Sequence, residues 1–298
     1  MADSSFGYTD PSFPPPDTDA GDAPIIIYGY TPNLVLCILG IVLFTIAFVA
    51  HLFQVLRYRI WSFLPLTVAC VLEIVGYVFR SLSSKVNPYR VVYFVVQYFF
   101  IVTAPVLVSA SIYVCLTHFL SWADKSESNF SRSWFLGKKF ILWTFITIDV
   151  ITTIIQVAGA ALIGVAESNQ DDSATANNIL LVGLAIQCFA FLVYLLLLSI
   201  VTVKMLKSQV LKERIKQRKP PFILILWLSS ILVYLRTLFR LIETSEGVYG
   251  KLSTHEAYFG GLEFAPMVVA VWLLAIWHPG RWPSNFKREE MRLSKQGA

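Results

Sequence analysis

Residues 222–243 read Phe-Ile-Leu-Ile-Leu-Trp-Leu-Ser-Ser-Ile-Leu-Val-Tyr-Leu-Arg-Thr-Leu-Phe-Arg-Leu-Ile-Glu. A run of about 20 apolar residues is long enough to cross roughly 30 Å of hydrocarbon as a helix. Yet this run ends in Arg236, Arg240 and Glu243, spaced i, i+4, i+7 and therefore on one helix face. A charge at bilayer depth costs on the order of 3 kcal/mol, so each must face a partner or a water-filled cavity. The stretch therefore predicts a membrane-spanning helix that turns a charged face inward, onto other helices.

Six more runs of the same kind flank it. The seven lie near 33–53, 60–80, 91–118, 140–164, 179–203, 222–242 and 257–277. The composition agrees: 56% of the chain is hydrophobic and only 14% charged, against about 25% charged in a soluble domain. The fold class is an all-α membrane protein, a seven-transmembrane-helix bundle. Its organisation is a disordered extracellular tail over 1–32, rich in Pro, Asp and Ser, the bundle over 33–277, and a basic cytoplasmic tail over 278–298.

Orientation follows from the basic residues. With the N-terminus outside, 18 of the 24 Lys and Arg fall in inner segments, and only Arg80, Lys85, Arg90 and Lys251 fall in outer ones. The tail before residue 33 has no Lys or Arg. The N-terminus is thus expected outside and the C-terminus in the cytoplasm. No charged n-region precedes the first apolar run, so the first span is expected to serve as its own insertion signal. The net charge of +5 sits in short juxtamembrane loops and does not indicate a nucleic-acid partner. The basic 204–219 loop is the place where a cytosolic partner would bind. Cys37, Cys70, Cys115 and Cys188 each stand alone in a span and read as small apolar residues. The sequon Asn129-Phe130-Ser131 falls in a loop expected to be cytoplasmic.

The other polar residues inside the spans are the candidate site. Span two carries Glu73, Gly76 and Arg80; the two charges are two turns apart on one face, and Gly76 permits close helix approach. Span three carries Gln97 and Pro105, a proline that frees a backbone carbonyl and marks either a packed kink or a hinge. Span four has Asp149 and Gln156, seven apart, followed by Gly159; span five has Gln187. Span seven begins at Glu256 and contains Glu263. Arg240 has Glu243 or Glu256 within reach as a rim clamp, which leaves Arg236 to meet Glu73, Asp149 or Glu263. Arginine forks onto carboxylate or phosphate in a bidentate way. Such a core either holds the helices together or contacts an amine-bearing or zwitterionic lipid headgroup. Membrane lipids or amphiphilic small molecules are accordingly the expected partners.

An enzyme is not expected. There is no G-x-x-x-x-G-K-[ST] phosphate loop, and four scattered histidines, His51, His118, His255 and His278, give no three-ligand metal site. Neither metal nor cofactor is expected. A seven-span receptor or lipid sensor is the competing function. Against it, Tyr113-Val-Cys-Leu-Thr-His118 lacks the acidic-Arg-Tyr switch, the seventh span lacks Asn-Pro-x-x-Tyr, and no Lys there could carry retinal.

Taken in order, Tyr30-x-Pro32-Asn33, His51, Glu73-x-x-Gly76-Tyr77-x-x-Arg80, Gln97, Ala104-Pro105 with Ala110 and Tyr113, Asp149 with Gln156 and Gly159, Gly183 with Gln187, Arg236-x-x-Phe239-Arg240-x-x-Glu243, Glu256 and His278-Pro279-Gly280 resemble the fungal lipid-translocating exporter family. The resemblance covers about residues 28–280. It implies a seven-span fungal membrane protein linked to lipid movement or amphiphile resistance, with sphingoid-base-like or sterol-like compounds as the substrate class and the plasma membrane as its place. Two departures stand out: Glu263 where the family has Asp, and Ala160-Ala161 in place of a Gly-rich run. Without an energy-coupling motif, transport would run downhill or be coupled to protons through Glu73, Asp149 or Glu263.

Overall fold

The structure is a computed structural model that describes residues 8–17, 21–126, 138–169, 171–207, 221–247 and 250–277. Among these residues seven helices are long and apolar enough to cross a membrane. They are α1 (Leu34–Tyr58), α2 (Leu64–Lys85, entered through a 3₁₀ turn at Trp61–Phe63), α3 (Val91–Ser126), α4 (Lys138–Asn169), α5 (Ala174–Lys207), α6 (Pro221–Ser245) and α7 (Glu256–Ile276). All seven expected spans are present, each helix extending past its apolar run. Asn129, residues 208–220, His278-Pro279-Gly280 and the 278–298 tail lie outside the described residues.

Each helix packs on the next in sequence, and α1 closes the ring against α7. Helix α3 also reaches α6, so it occupies the middle: two thirds of its span (67%) is buried inside the protein, against 28% for α1. Peripheral α1 shows the corresponding division of faces. Cys37, Gly40, Phe44, Ala47, His51 and Gln54 point inward. Val35, Val42, Val49 and Phe53 point outward, an apolar surface that only lipid would cover. Polar side chains tie the C-terminal part of α1 to that of α7: Gln54 donates to the Ala275 carbonyl at 2.7 Å, and His51 meets the Val271 carbonyl at 3.2 Å.

Glycines set the closest helix approaches. A methyl group on Gly159 of α4 would lie 2.8 Å from the Leu180 nitrogen and 3.0 Å from its Cα, so α4 and α5 touch backbone to backbone there. Gly76 makes room for the Ile101 side chain of α3, whose Cγ1 would lie 2.7 Å from an added methyl group. Pro105 sits inside α3, which continues unbroken through it.

Helix α7 does not run as a regular α-helix. Phe259–Phe264 form a wide π-helical turn, and Pro266 follows immediately. Proline cannot donate to the carbonyl four residues back and its ring crowds that carbonyl, which is the local reason the turn opens. Glu263 lies within this turn.

Residues 8–17 and 21–33, expected to be disordered, instead pack across the end of the bundle where α1 begins. The physical reason is the apolar run Ile25-Ile26-Ile27-Tyr28, of which Ile26, Ile27 and Tyr28 are buried. Backbone bonds fix the segment: Ala23 N–H to the Tyr89 carbonyl and Ile26 N–H to the Tyr8 carbonyl, both 2.9 Å. Thr31 Oγ1 donates to Asp10 Oδ2 at 2.6 Å. Hydrogen bonds from Ser12, then Thr31, hold the Asp10 carboxyl below its ordinary range. Gly29 takes a positive φ (+70°) against Thr254, where a side chain would clash. This segment is termed the strap.

Candidate functional site

The charges of α6 and α7 form one chain of contacts. Arg236 Nη2 donates to Glu263 Oε1 at 2.7 Å and to the Ile101 carbonyl of α3 at 3.1 Å. Arg240 Nη1 donates to Glu243 Oε2 at 2.7 Å. Arg240 Nε lies 3.2 Å from the second Glu263 oxygen, Oε2, but misaligned, a charge contact rather than a hydrogen bond. Glu263 thus bridges both arginines. Arg236 and Glu263 are each only 1% exposed; at that burial an unpaired charge would be prohibitive, and the pairing explains how they are tolerated. Of the partners considered for Arg236, Glu263 is the one that it meets. Of the two considered for Arg240, Glu243 is.

Glu256 serves a different arginine. Arg80 Nη2 donates to Glu256 Oε1 at 3.1 Å and to the Tyr30 hydroxyl at 2.7 Å. Glu256 also accepts from the Asn33 backbone N–H, at 2.9 and 3.0 Å. The Arg80 guanidinium sits 3.9 Å over the Phe259 ring and 5.5 Å from that of Tyr28, a cation–π arrangement. Arg80 is buried and does not snorkel; it joins the strap, α2 and α7.

A cleft lies between these two groups, under the strap. Its volume is about 100 Å³. Arg80, Gln97, Arg240 and Glu243 line it, with Tyr28 and Tyr30 of the strap and Phe94, Tyr98 and Phe259 as aromatic wall. The Tyr28 hydroxyl donates to Gln97 Oε1 at 2.6 Å and shares a 3.2 Å contact with Ser83. Burial pushes the phenols of Tyr28 and Tyr30 above their ordinary range, against the pull of the Arg80 charge. Arg240 lies 4.8 Å from the Tyr98 ring. Chemically, the cleft offers two guanidiniums, one carboxylate, the amides of Gln97 and Asn177, and several π faces beside apolar walls (Ile27, Ile101, Ile163 and Leu180).

The remaining candidates stand apart from the cleft lining. Asp149 accepts from the Tyr113 hydroxyl at 2.9 Å, and its other oxygen has no hydrogen-bond partner among the described residues. Gln156 donates to Gln187 at 2.6 Å, joining α4 to α5. Glu73 is 2% exposed; no hydrogen bond or ion pair joins it to a described residue, although Arg236 and Glu263 are close enough to act on its charge. The strap tyrosines were absent from the sequence-derived site because they precede the first span; the apolar run before Tyr28 was the signal for them. No group of three or more His, Cys, Asp or Glu among the described residues is arranged to hold a metal.

Comparison with known proteins places this architecture. Residues 66–285 match the family model described as RTA1 like protein. Three relatives come from Saccharomyces cerevisiae. Protoporphyrin uptake protein 1 is 26% identical over 289 residues, covering 85% of this chain and 91% of the relative. The sphingoid long-chain base transporter RSB1 is 26% identical over 284 residues, covering 85% and 73%. Protein RTM1 is 30% identical over 209 residues, covering 70% of this chain and 64% of the relative. No solved structure matches. The motif order that resembles fungal lipid exporters, the seven apolar helices and the family match agree, and the chain belongs to the RTA1 like protein family as a multi-pass membrane protein.

Proposed function

We propose that this protein is a membrane transporter of amphiphilic lipids, and that the cleft beneath the strap holds the substrate headgroup. The observation that carries this reading is the lining itself, in which Arg80, Arg240, Glu243 and the amides of Gln97 and Asn177 stand among aromatic and aliphatic walls. A cavity of this polarity fits an amphiphile at the boundary of headgroup and chain, the apolar part lying along the helices and the polar part meeting Gln97, Arg240 and Glu243. The names of two relatives, a sphingoid long-chain base transporter and a protoporphyrin uptake protein, support movement of amphiphiles as the shared activity. Sphingoid-base-like compounds are the first candidates and sterol-like compounds the second.

The basic-residue distribution supports an outside N-terminus, so the strap and the cleft would face the exterior. The plasma membrane is the proposed location. The test is flip of fluorescent lipids in vesicles holding only the purified protein. Headgroup-dependent flip above empty vesicles is expected, with Arg236→Ala and Asp149→Ala reducing it while the protein stays in the membrane. Unchanged flip in both variants, or ligand-dependent turnover of a G protein in place of flip, would overturn the reading.

A further inference from the structure

The buried and half-buried charges at this end of the bundle do not balance. Arg80 is matched by Glu256, Arg240 by Glu243, and Arg236 by Glu263. Glu73 is the fourth carboxylate against three guanidiniums, and no described residue forms a hydrogen bond or ion pair with it. With every group ionised, the assembly carries one unneutralised negative charge in a low-dielectric interior, which the protein must cancel with a proton or a cation.

The contacts link this surplus to the cleft. Glu243 faces the cleft and holds Arg240 at 2.7 Å; Arg240 touches Glu263 at 3.2 Å; Glu263 holds Arg236 at 2.7 Å; Arg236 is the cation nearest in effect on Glu73. A positive headgroup lodged in the cleft beside Glu243 competes with Arg240 for that carboxylate. Arg240 then leans further on Glu263, and Arg236 becomes available to Glu73.

We propose that the cleft exchanges a proton for a cationic headgroup: a positive charge bound beside Glu243 displaces the proton of Glu73 to solvent. This rests on the reading of the cleft as the headgroup site and adds the ion that substrate binding moves. The groups facing Glu73 are Arg236 of α6 and Glu263 of α7, with Cys70 and Tyr77 alongside it on α2. The other helices packed on α2 add no carboxylate or basic charge at that depth: residues 34–56 of α1 and 91–123 of α3 contain no Asp, Glu, Lys or Arg, only His51 and His118 further along. By linkage, one proton released per cation bound makes affinity for the cation rise about tenfold per pH unit while Glu73 titrates.

The experiment uses two probes of equal chain length, a long-chain trimethylammonium amphiphile and the corresponding uncharged alcohol, with the full chain in weakly buffered vesicles containing a pH dye. The fixed charge of the trimethylammonium group ensures that any proton released comes from the protein. Wild type is expected to bind both probes and to release close to one proton per bound cation and none per bound alcohol. Glu73→Gln is expected to keep alcohol binding, which reports an intact cleft, while losing both the proton release and the pH dependence of cation binding. If wild type binds both probes without releasing a proton, or if Glu73→Gln releases as much as wild type, the exchange is refuted and the headgroup site survives. If neither probe binds wild type, the headgroup site itself is refuted.

Discussion

Replacing Arg236 with Met should be among the costliest single changes in the protein. Met keeps much of the stem volume and the helix propensity, so the loss is almost purely that of the guanidinium. Two groups then lose it together: Glu263 Oε1, 2.7 Å away, and the Ile101 carbonyl, 3.1 Å away. Glu263 retains only the misaligned contact with Arg240. Removing one member of a buried ion pair costs about 3–5 kcal/mol, because the other is stranded. At about 2–4 °C per kcal/mol for a chain of this size, the melting temperature should fall by roughly 6–20 °C. The protein carries its own reporter: Cys37, Cys70, Cys115 and Cys188 are all free and buried, so a thiol-reactive fluorogenic dye responds only as the bundle opens. The double variant Arg236→Met/Glu263→Gln removes the stranded charge and should recover at least about half of the loss, since a pair removed whole is far cheaper than a pair broken. A single variant that melts within about 2 °C of wild type, or a double variant no more stable than the single, would refute the assigned pairing.

Arg80→Lys removes the nitrogen shared by Tyr30 and Glu256 and the flat contact with Phe259; a loss of about 1–3 kcal/mol, together with faster proteolysis of the strap, is expected in a melting and limited-proteolysis series. Gly159→Ala places a methyl group against the Leu180 backbone, which cannot swing aside, and should cost about 1–3 kcal/mol, whereas Gly261→Ala meets open space and should stay within about 0.5 kcal/mol of wild type in the same assay. The buried Tyr28 phenol keeps its proton in the folded state beyond the pH at which an unfolded tyrosine, with a pKa of about 10, releases it; its contribution is therefore complete below pH 10 and lost as the pH rises above that. Strap protection measured by hydrogen exchange or proteolysis should decline above pH 10 in wild type, and Tyr28→Phe should lower protection at neutral pH and flatten that decline.

The seven spans were legible because lipid imposes a simple requirement: about 20 apolar residues without a break, each bonded within its own helix. Helix ends were less legible, since polar residues such as Lys138, Asn169 and Lys207 continue the helices where hydropathy no longer demands it. That Arg236, Arg240 and Glu243 share a face followed from spacing alone. Which carboxylate each would meet did not, because the answer depends on how α7 is wound around Glu263, and that winding is set by Pro266. Asp149 and Gln156 were visible as polar residues at depth. Their partners Tyr113 and Gln187 come from neighbouring helices, so only packing decides them. The strap went unread because a polar, proline-rich composition outweighed four apolar residues, Ile25 to Tyr28, that lock it down.

The wide turn in α7 has one more consequence. Glu256 and Glu263 are seven residues apart, a spacing that aligns side chains on a regular helix. One residue of slack in the winding turns the two positions apart by about 100°, which lets one helix address Arg80 and Arg236 separately, in two different directions. The turn acts as a phase shifter between two ionic circuits. The same residues wound as a regular α-helix from 259 to 264 would keep every charged side chain, yet would point both carboxylates to one side and leave one arginine facing nothing.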